Sequence, residues 1–243
     1  MTALLVHGVP DTPDLWRPVL AHLDRADVHT PALPGFGCDA PVGFGGAHDD
    51  YAAWLVAEIE ALGEPVDLVG HDWGSLLVQR VASLRPDLLR TVAFGSGPLD
   101  DAYVWHDTAQ AWQTPEVGEA VMDGILGLSP AERQAVLEAG GAAPDLAAVQ
   151  AAAWDRRMAD AILGLYRSVV DPARHWAPLD RPIGCPTLVI WGGDDPYAPP
   201  EFGARVADRT GADLLVLDGC PHWWPWSRAA EVAAALTELW SRG

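Results

Sequence analysis

Basic side chains are scarce in this chain: 15 Lys and Arg stand against 34 Asp and Glu, a formal net charge of −19. A surface of that sign repels phosphate backbones and anionic headgroups, which excludes nucleic acid and an anionic membrane face as partners. Cysteine is scarce too. Cys38, Cys185 and Cys220 lack metal-ligand spacing, and an odd number gives no disulfide framework. No cluster of His, Cys and carboxylate points to a metal, and Gly43-Phe-Gly-Gly46 lacks the setting of a phosphate loop, so neither metal nor cofactor is expected. Met1 to His7 has no basic stretch and too short an apolar run for a secretion signal, and no apolar run reaches membrane-spanning length. Repeats and low-complexity tracts are missing. Together these absences predict a soluble protein of the reducing cytoplasm, and they leave its oligomeric state open.

What is present is apolar and periodic. Hydrophobic residues make up 49% of the 243, enough for one large domain, or a core domain with an insertion. Ala3 to Val6 reads as a buried strand close to the chain start, with no hairpin ahead of it. Thr12-Pro13-Asp14 is a helix start, followed by Leu15, Trp16, Val19, Leu20 and Leu23 at helical spacing. Val28 to Ala32 predicts a short strand, and a helix capped by Asp49 or Asp50 runs to Leu62. Strand, turn and helix follow from Val66 to Leu84, then a strand from Leu89 to Phe94. Alternation of this kind indicates an α/β architecture, a mostly parallel sheet flanked by helices, whose sites lie at the carboxyl ends of the strands. From Pro98 to Leu179 strands vanish, and helical segments rich in Ala and Trp predict an inserted cap over residues 98–179. The core is then 1–97 and 180–243, resuming with a strand to Trp191, a helix from Glu201 to Arg209, a strand from Leu214 to Leu217 and a terminal helix from Ala229 to Trp240.

The organising stretch is Val66-Asp-Leu-Val-Gly-His-Asp-Trp-Gly-Ser75. A buried strand runs into Gly70-His-Asp-Trp-Gly74 and on into a helix. The glycines let the chain reverse sharply, which holds Asp72 at an exposed apex on a helix N-terminus. Serine at such an apex attacks acyl carbon. A carboxylate instead attacks an sp³ carbon and forms an ester that water must then hydrolyse. That chemistry needs a histidine base and an orienting acid further along. Asp194 or Asp195 and His222 occupy the next carboxyl-end loops, in the order nucleophile, acid, base.

With His7-Gly-Val-Pro10, Leu33-Pro-Gly-Phe-Gly37, Gly70-His-Asp-Trp-Gly74, Trp191-Gly-Gly-Asp-Asp-Pro-Tyr-Ala-Pro199 and Gly219-Cys-Pro-His222, the sequence resembles the α/β-hydrolase superfamily in its aspartate-nucleophile branch. That branch holds epoxide hydrolases, haloalkane dehalogenases and fluoroacetate dehalogenases. The resemblance selects Asp195 over Asp194 and implies an oxyanion hole from the backbone N–H groups of Val9 and Trp73. It implies that His7 structures the oxyanion loop and His71 the elbow, while His22, His29, His48 and His175 read as surface or packing residues. Val9 stands where haloalkane dehalogenases carry the Asn that helps hold halide. No Arg follows the nucleophile as in fluoroacetate dehalogenases. Within the cap, Leu165-Tyr166-Arg167-Ser168 and Val104-Trp105-His106 resemble the segments of epoxide hydrolases that use a His/Tyr ring-opening pair. The resemblance thus implies His106 and Tyr166 as proton donors, Tyr103 as their substitute, and Tyr103, Trp105, Trp112 and Trp223 as pocket lining. The expected function is hydrolysis of a small apolar epoxide to a vicinal diol through an Asp72 ester, cleaved by water that His222 activates. The alternatives are a haloalkane dehalogenase with the same nucleophile and a ligand-binding relative without turnover.

Overall fold

The computed structural model describes residues 1–243. Six strands form one sheet, β1 (Ala3–Val6), β2 (Val28–His29), β3 (Val66–His71), β4 (Leu89–Gly95), β5 (Thr187–Gly192) and β6 (Asp213–Leu217), in the order β2-β1-β3-β4-β5-β6. Every pairing is parallel. All residues of β1, β3 and β5 are buried, as expected of strands covered on both faces. The chain runs from β1 out to the edge strand β2 and returns to β3, so the loops after β1 and β3 are neighbours at the carboxyl edge, where such a reversal opens a crevice.

Before β2, a 3₁₀ turn (Pro13–Trp16) leads into the single turn α1 (Arg17–Leu20). The helix expected through Leu23 stops early, and β2 is two residues rather than the five expected to Ala32. Pro31, two residues after His29, removes a backbone donor, which accounts for the short strand. α2 (His48–Leu62) starts at Ala47, and Asp50 reaches back to the Ala47 N–H at 2.9 Å instead of standing at the cap. α3 (Trp73–Leu84) follows β3 directly.

Six helices then separate β4 from β5: α4 (Asp107–Gln113), α5 (Val117–Gly127), α6 (Pro130–Ala139), α7 (Pro144–Ala153), α8 (Arg156–Ser168) and α9 (Pro172–His175). Their starts follow the sequence closely. His106, Ser129 and Asp155 each accept a backbone N–H of the first turn of the helix they precede. α8 buries Ala159, Ile162, Leu163 and Tyr166, one face at helical spacing, which turns Tyr166 inward. Arg133 pins α5, α6 and α7 together by donating to the carbonyls of Ile125, Ala151 and Trp154 at 3.3, 3.0 and 2.7 Å. The chain closes with α10 (Pro200–Thr210), α11 (Trp224–Ser227) and α12 (Ala229–Trp240). No helix is long and apolar enough to cross a membrane.

Candidate active site

Asp72 links β3 to α3 at φ 54° and ψ −119°, a backbone conformation that costs a non-glycine residue energy and persists only where its surroundings hold it. Those surroundings are tight. A Cβ on Gly74 would run into the carbonyls of Val6 and His7, and one on Gly70 into the backbone of Gly74, so both elbow glycines are required by close approach.

One oxygen of Asp72, Oδ1, accepts the Val9 backbone N–H at 2.7 Å; the other, Oδ2, lies 3.6 Å from His222 Nε2. Val9 lies in the loop after β1, where the Val9–Pro10 peptide is cis. The loop is fixed by His7, whose Nδ1 donates to the Gly8 carbonyl at 2.9 Å while Nε2 accepts the Leu33 N–H at 3.1 Å. Burial, opposed by the Gly8 bond, pushes the His7 imidazole down to about 4, which leaves it neutral as this bonding pattern requires.

Behind His222, Nδ1 meets Asp195 Oδ2 at 2.9 Å, and Asp195 Oδ1 accepts the N–H groups of Tyr197 and Ala198 at 2.9 and 3.0 Å. Asp194, the other candidate acid, is exposed. The His222 loop is steadied by His71, whose Nε2 donates to the His222 carbonyl at 2.9 Å. Burial raises the Asp72 carboxyl to about 6, against the pull of His222 and of the Val9 and Trp73 N–H groups. Burial would depress His222, but the charges of Asp195 and Asp72 and the Asp195 hydrogen bond lift it to about 9. Burial would raise Asp195, and the His222 charge and hydrogen bond outweigh it, leaving that acid below its ordinary range. The two opposed groups thus favour each other's charged form, an Asp72 carboxylate facing a His222 imidazolium.

Asp72 and His222 open onto a cavity of about 180 Å³, also walled by Tyr166, His106, Trp112 and Trp223. Tyr166 is buried, and burial first, then the Asp72 charge, pushes its phenol well above the ordinary value. His106 Nδ1 accepts the Ala109 N–H at 3.3 Å, which leaves the ring proton on Nε2. Burial and the nearby His222 charge hold its imidazole down to about 4, so it is a neutral donor. Two aromatics expected on the wall lie behind it. Trp105 stacks on Trp73 at 5.7 Å and spends its N–H on the Val169 carbonyl at 3.2 Å. Tyr103 packs edge-on against Phe202 and donates to the Tyr197 carbonyl at 3.3 Å. The wall also includes residues the sequence did not point to, among them Tyr197, Trp154 and Arg133. Tyr197 carried a usable signal, two residues past Asp195 in a matching stretch. Its hydroxyl donates to the Gly140 carbonyl at 2.7 Å and its ring stands edge-on to His222 at 5.2 Å. No group of three or more His, Cys, Asp or Glu side chains is arranged to hold a metal ion.

A parallel sheet carrying a strained acid after β3, a second acid after β5 and a histidine after β6, all at its carboxyl edge, is the frame of a hydrolase. Residues 3–235 match the alpha/beta hydrolase family, and the chain belongs to it. It is 28% identical over 245 residues to lipase LipV of Mycobacterium tuberculosis, across 96% of this chain and 90% of that protein. Among solved structures it is similar to a loop variant of the haloalkane dehalogenase DbeA from Bradyrhizobium elkanii, with TM-score 0.75 and 23% identity, covering 99% of this chain and 90% of the other. It is similar as well to Bacillus megaterium epoxide hydrolase, with TM-score 0.76 and 19% identity, covering 99% and 93%.

Proposed function

We propose that the chain is an epoxide hydrolase that needs no cofactor. The observation that carries this reading is the shared wall: Asp72, His222, Tyr166 and His106 face one cavity, so nucleophile, base and two proton donors meet one small substrate. Residues 98–179 act in this reading as the cap that supplies the donors.

Asp72 attacks a ring carbon, and the C–O bond of the ring breaks toward the donors. Tyr166 gives its proton to the opening oxygen while His106 Nε2–H shares the developing charge. The product of this step is a hydroxyalkyl ester on Asp72 beside a phenolate. The imidazolium of His222 returns a proton to that phenolate and becomes the neutral base that step two requires. Water then adds to the ester carbonyl as His222 takes its proton and the Val9 and Trp73 N–H groups hold the oxyanion. Collapse releases the diol and restores the carboxylate and imidazolium, so the proton count closes.

The other named relatives fit the side chains less well. A halide clamp needs two donors: the Trp73 N–H has no acceptor of its own and lies against Tyr166, but Val9 offers no side-chain donor to stand beside it. A lipase mechanism needs a hydroxyl at the apex. Ser75, three residues on, is buried and spends its hydroxyl on the Gly97 carbonyl at 2.9 Å.

The test is intact-protein mass spectrometry after rapid quench with a small aryl epoxide, and in parallel with a bromoalkane. The expected result is a gain equal to the mass of the whole epoxide. An alkyl adduct formed only with the bromoalkane overturns the reading in favour of dehalogenation, and no adduct with either compound overturns catalysis by Asp72. Tyr166→Phe is expected to slow alkylation more than tenfold, the scale general acids provide. Stopped-flow alkylation rates check this, and an unchanged rate removes Tyr166 from the ring-opening role.

A further inference from the structure

Outside the pair on His222, two carboxylates with fully buried side chains are each clasped by two arginines: Asp67 by Arg25 and Arg90, and Asp100 by Arg205 and Arg209. Asp11 is buried as deeply, at 1% exposure, and no cation touches it. Its acceptors are met by neutral donors alone. Oδ1 takes Gln150 Nε2 at 2.8 Å and Oδ2 takes Trp223 Nε1 at 3.2 Å. A neutral Asn or Ser could join those groups without burying a charge, so a bare carboxylate here is costly unless its charge has a use.

Its partners show where that use lies. Asp11 is in the loop of Val9, two residues past the N–H that binds Asp72. Gln150 belongs to α7 in the helical segment. Trp223 follows His222, on whose ring its own stands edge-on at 5.1 Å. One carboxylate thus joins the oxyanion loop, the helices above the cavity and the loop of the base.

We propose that Asp11 is a positioning residue for the hydrolytic half of the reaction: it ties α7 down over Asp72 and keeps a negative charge near His222 when Asp72 has lost its own. The proposal rests on the reading of Asp72 as a nucleophile. In the ester Asp72 is neutral, so the imidazolium that forms as His222 takes the proton of water has only Asp195 and Asp11 as negative neighbours. The other groups facing His222 carry no negative charge at neutral pH: His71 beneath it, Tyr197 beside it and His106 across the cavity. The tie survives a change of charge. Gln150 Oε1 has no partner, so the amide can turn to accept from a protonated Asp11. Burial raises the Asp11 carboxyl to about 7, Gln150 opposing and the Asp72 charge adding, so esterification of Asp72 favours its ionised form.

The experiment compares Asp11→Asn with Gln150→Ala. In free protein with ¹⁵N-labelled histidine, Asp11→Asn removes a negative neighbour, so the His222 titration midpoint is expected to fall by about one pH unit, whereas Gln150→Ala keeps the charge and does not lower it. In single turnover, Asp11→Asn is expected to slow ester hydrolysis about tenfold more than alkylation. A His222 midpoint unmoved by Asp11→Asn, or lowered equally by both variants, overturns the proposal and leaves Asp11 a packing group. Should Asp11→Asn fail to fold, Asp11→Ser is also uncharged and carries the same measurement. The titration needs no substrate, so it decides the role of Asp11 even if no ester ever forms, an outcome that sinks the nucleophile reading instead.

Discussion

His222→Gln is expected to stop the reaction halfway, with the ester accumulating on Asp72 to one equivalent and diol release falling by about 10² to 10⁴-fold. The first step uses only Asp72, Val9 N–H and the donors on the far wall, and none of these depends on the imidazole as a base. Gln is close in volume and leaves the Asp195 and His71 contacts of the loop in place. The second step has no substitute base: Asp195 turns one oxygen to two backbone N–H groups and the other to His222 Nδ1, facing away from the Asp72 carbonyl. Intact mass and peptide mapping of the Asp72 segment read the trapped species. Normal turnover without an adduct would mean that His222 is not the base.

The same step predicts where the diol obtains its new oxygen. Because water adds to the carboxyl carbon of Asp72, a single turnover in ¹⁸O-water leaves the label in the protein and releases unlabelled diol. Label appearing in the first diol would mean that water attacks the epoxide directly and that Asp72 acts as a base.

Much of this was legible from local pattern because local chemistry fixes it. Gly70 and Gly74 are the only residues that fit between β3, α3 and β1, so their spacing announced the elbow before any contact was known. Periodicity located α12 to the residue, at Ala229–Trp240, because one face of that helix is apolar and buried at helical spacing. The aromatics of residues 98–179 were ambiguous for an equally physical reason. Tyr103, Trp105, Trp112 and Tyr166 all pack on one another or on neighbouring rings, and spacing gives burial without saying which buried ring meets the cavity. Asp11 escaped notice because its partners lie 139 and 212 positions away. Beside Pro10 and Thr12 it reads as a turn residue, and only the folded chain exposes the missing cation.

The other large effect belongs to the opposite end of the same strand. Asp67 is fully buried in β3, five residues before Asp72, and accepts from Arg25 Nη1 at 3.0 Å, from Arg90 and from the Thr91 hydroxyl at 2.7 Å. Arg25 lies 4.4 Å over the Trp240 ring, so this carboxylate gathers β3, β4, the segment before β2 and α12 at the edge of the sheet away from the cavity. Asp67→Ala leaves two guanidinium groups facing an apolar gap. Breaking one side of a buried ion pair costs about 3–5 kcal/mol. The lower end is expected here, because Arg25 keeps Asp27 at 2.8 Å, Arg90 keeps the Trp240 carbonyl at 2.9 Å, and both arginines retain some solvent. For a chain of this length that loss lowers Tm by about 6–12 °C. Below the new transition, kcat and KM are expected to be unchanged, since no atom of the network reaches the cavity. A melt at the parental temperature would reduce the cluster to the worth of a surface pair. A fall in kcat with Tm intact would mean that the charge of Asp67 is felt along β3 at the nucleophile, and that the two ends of the strand are not electrostatically separate.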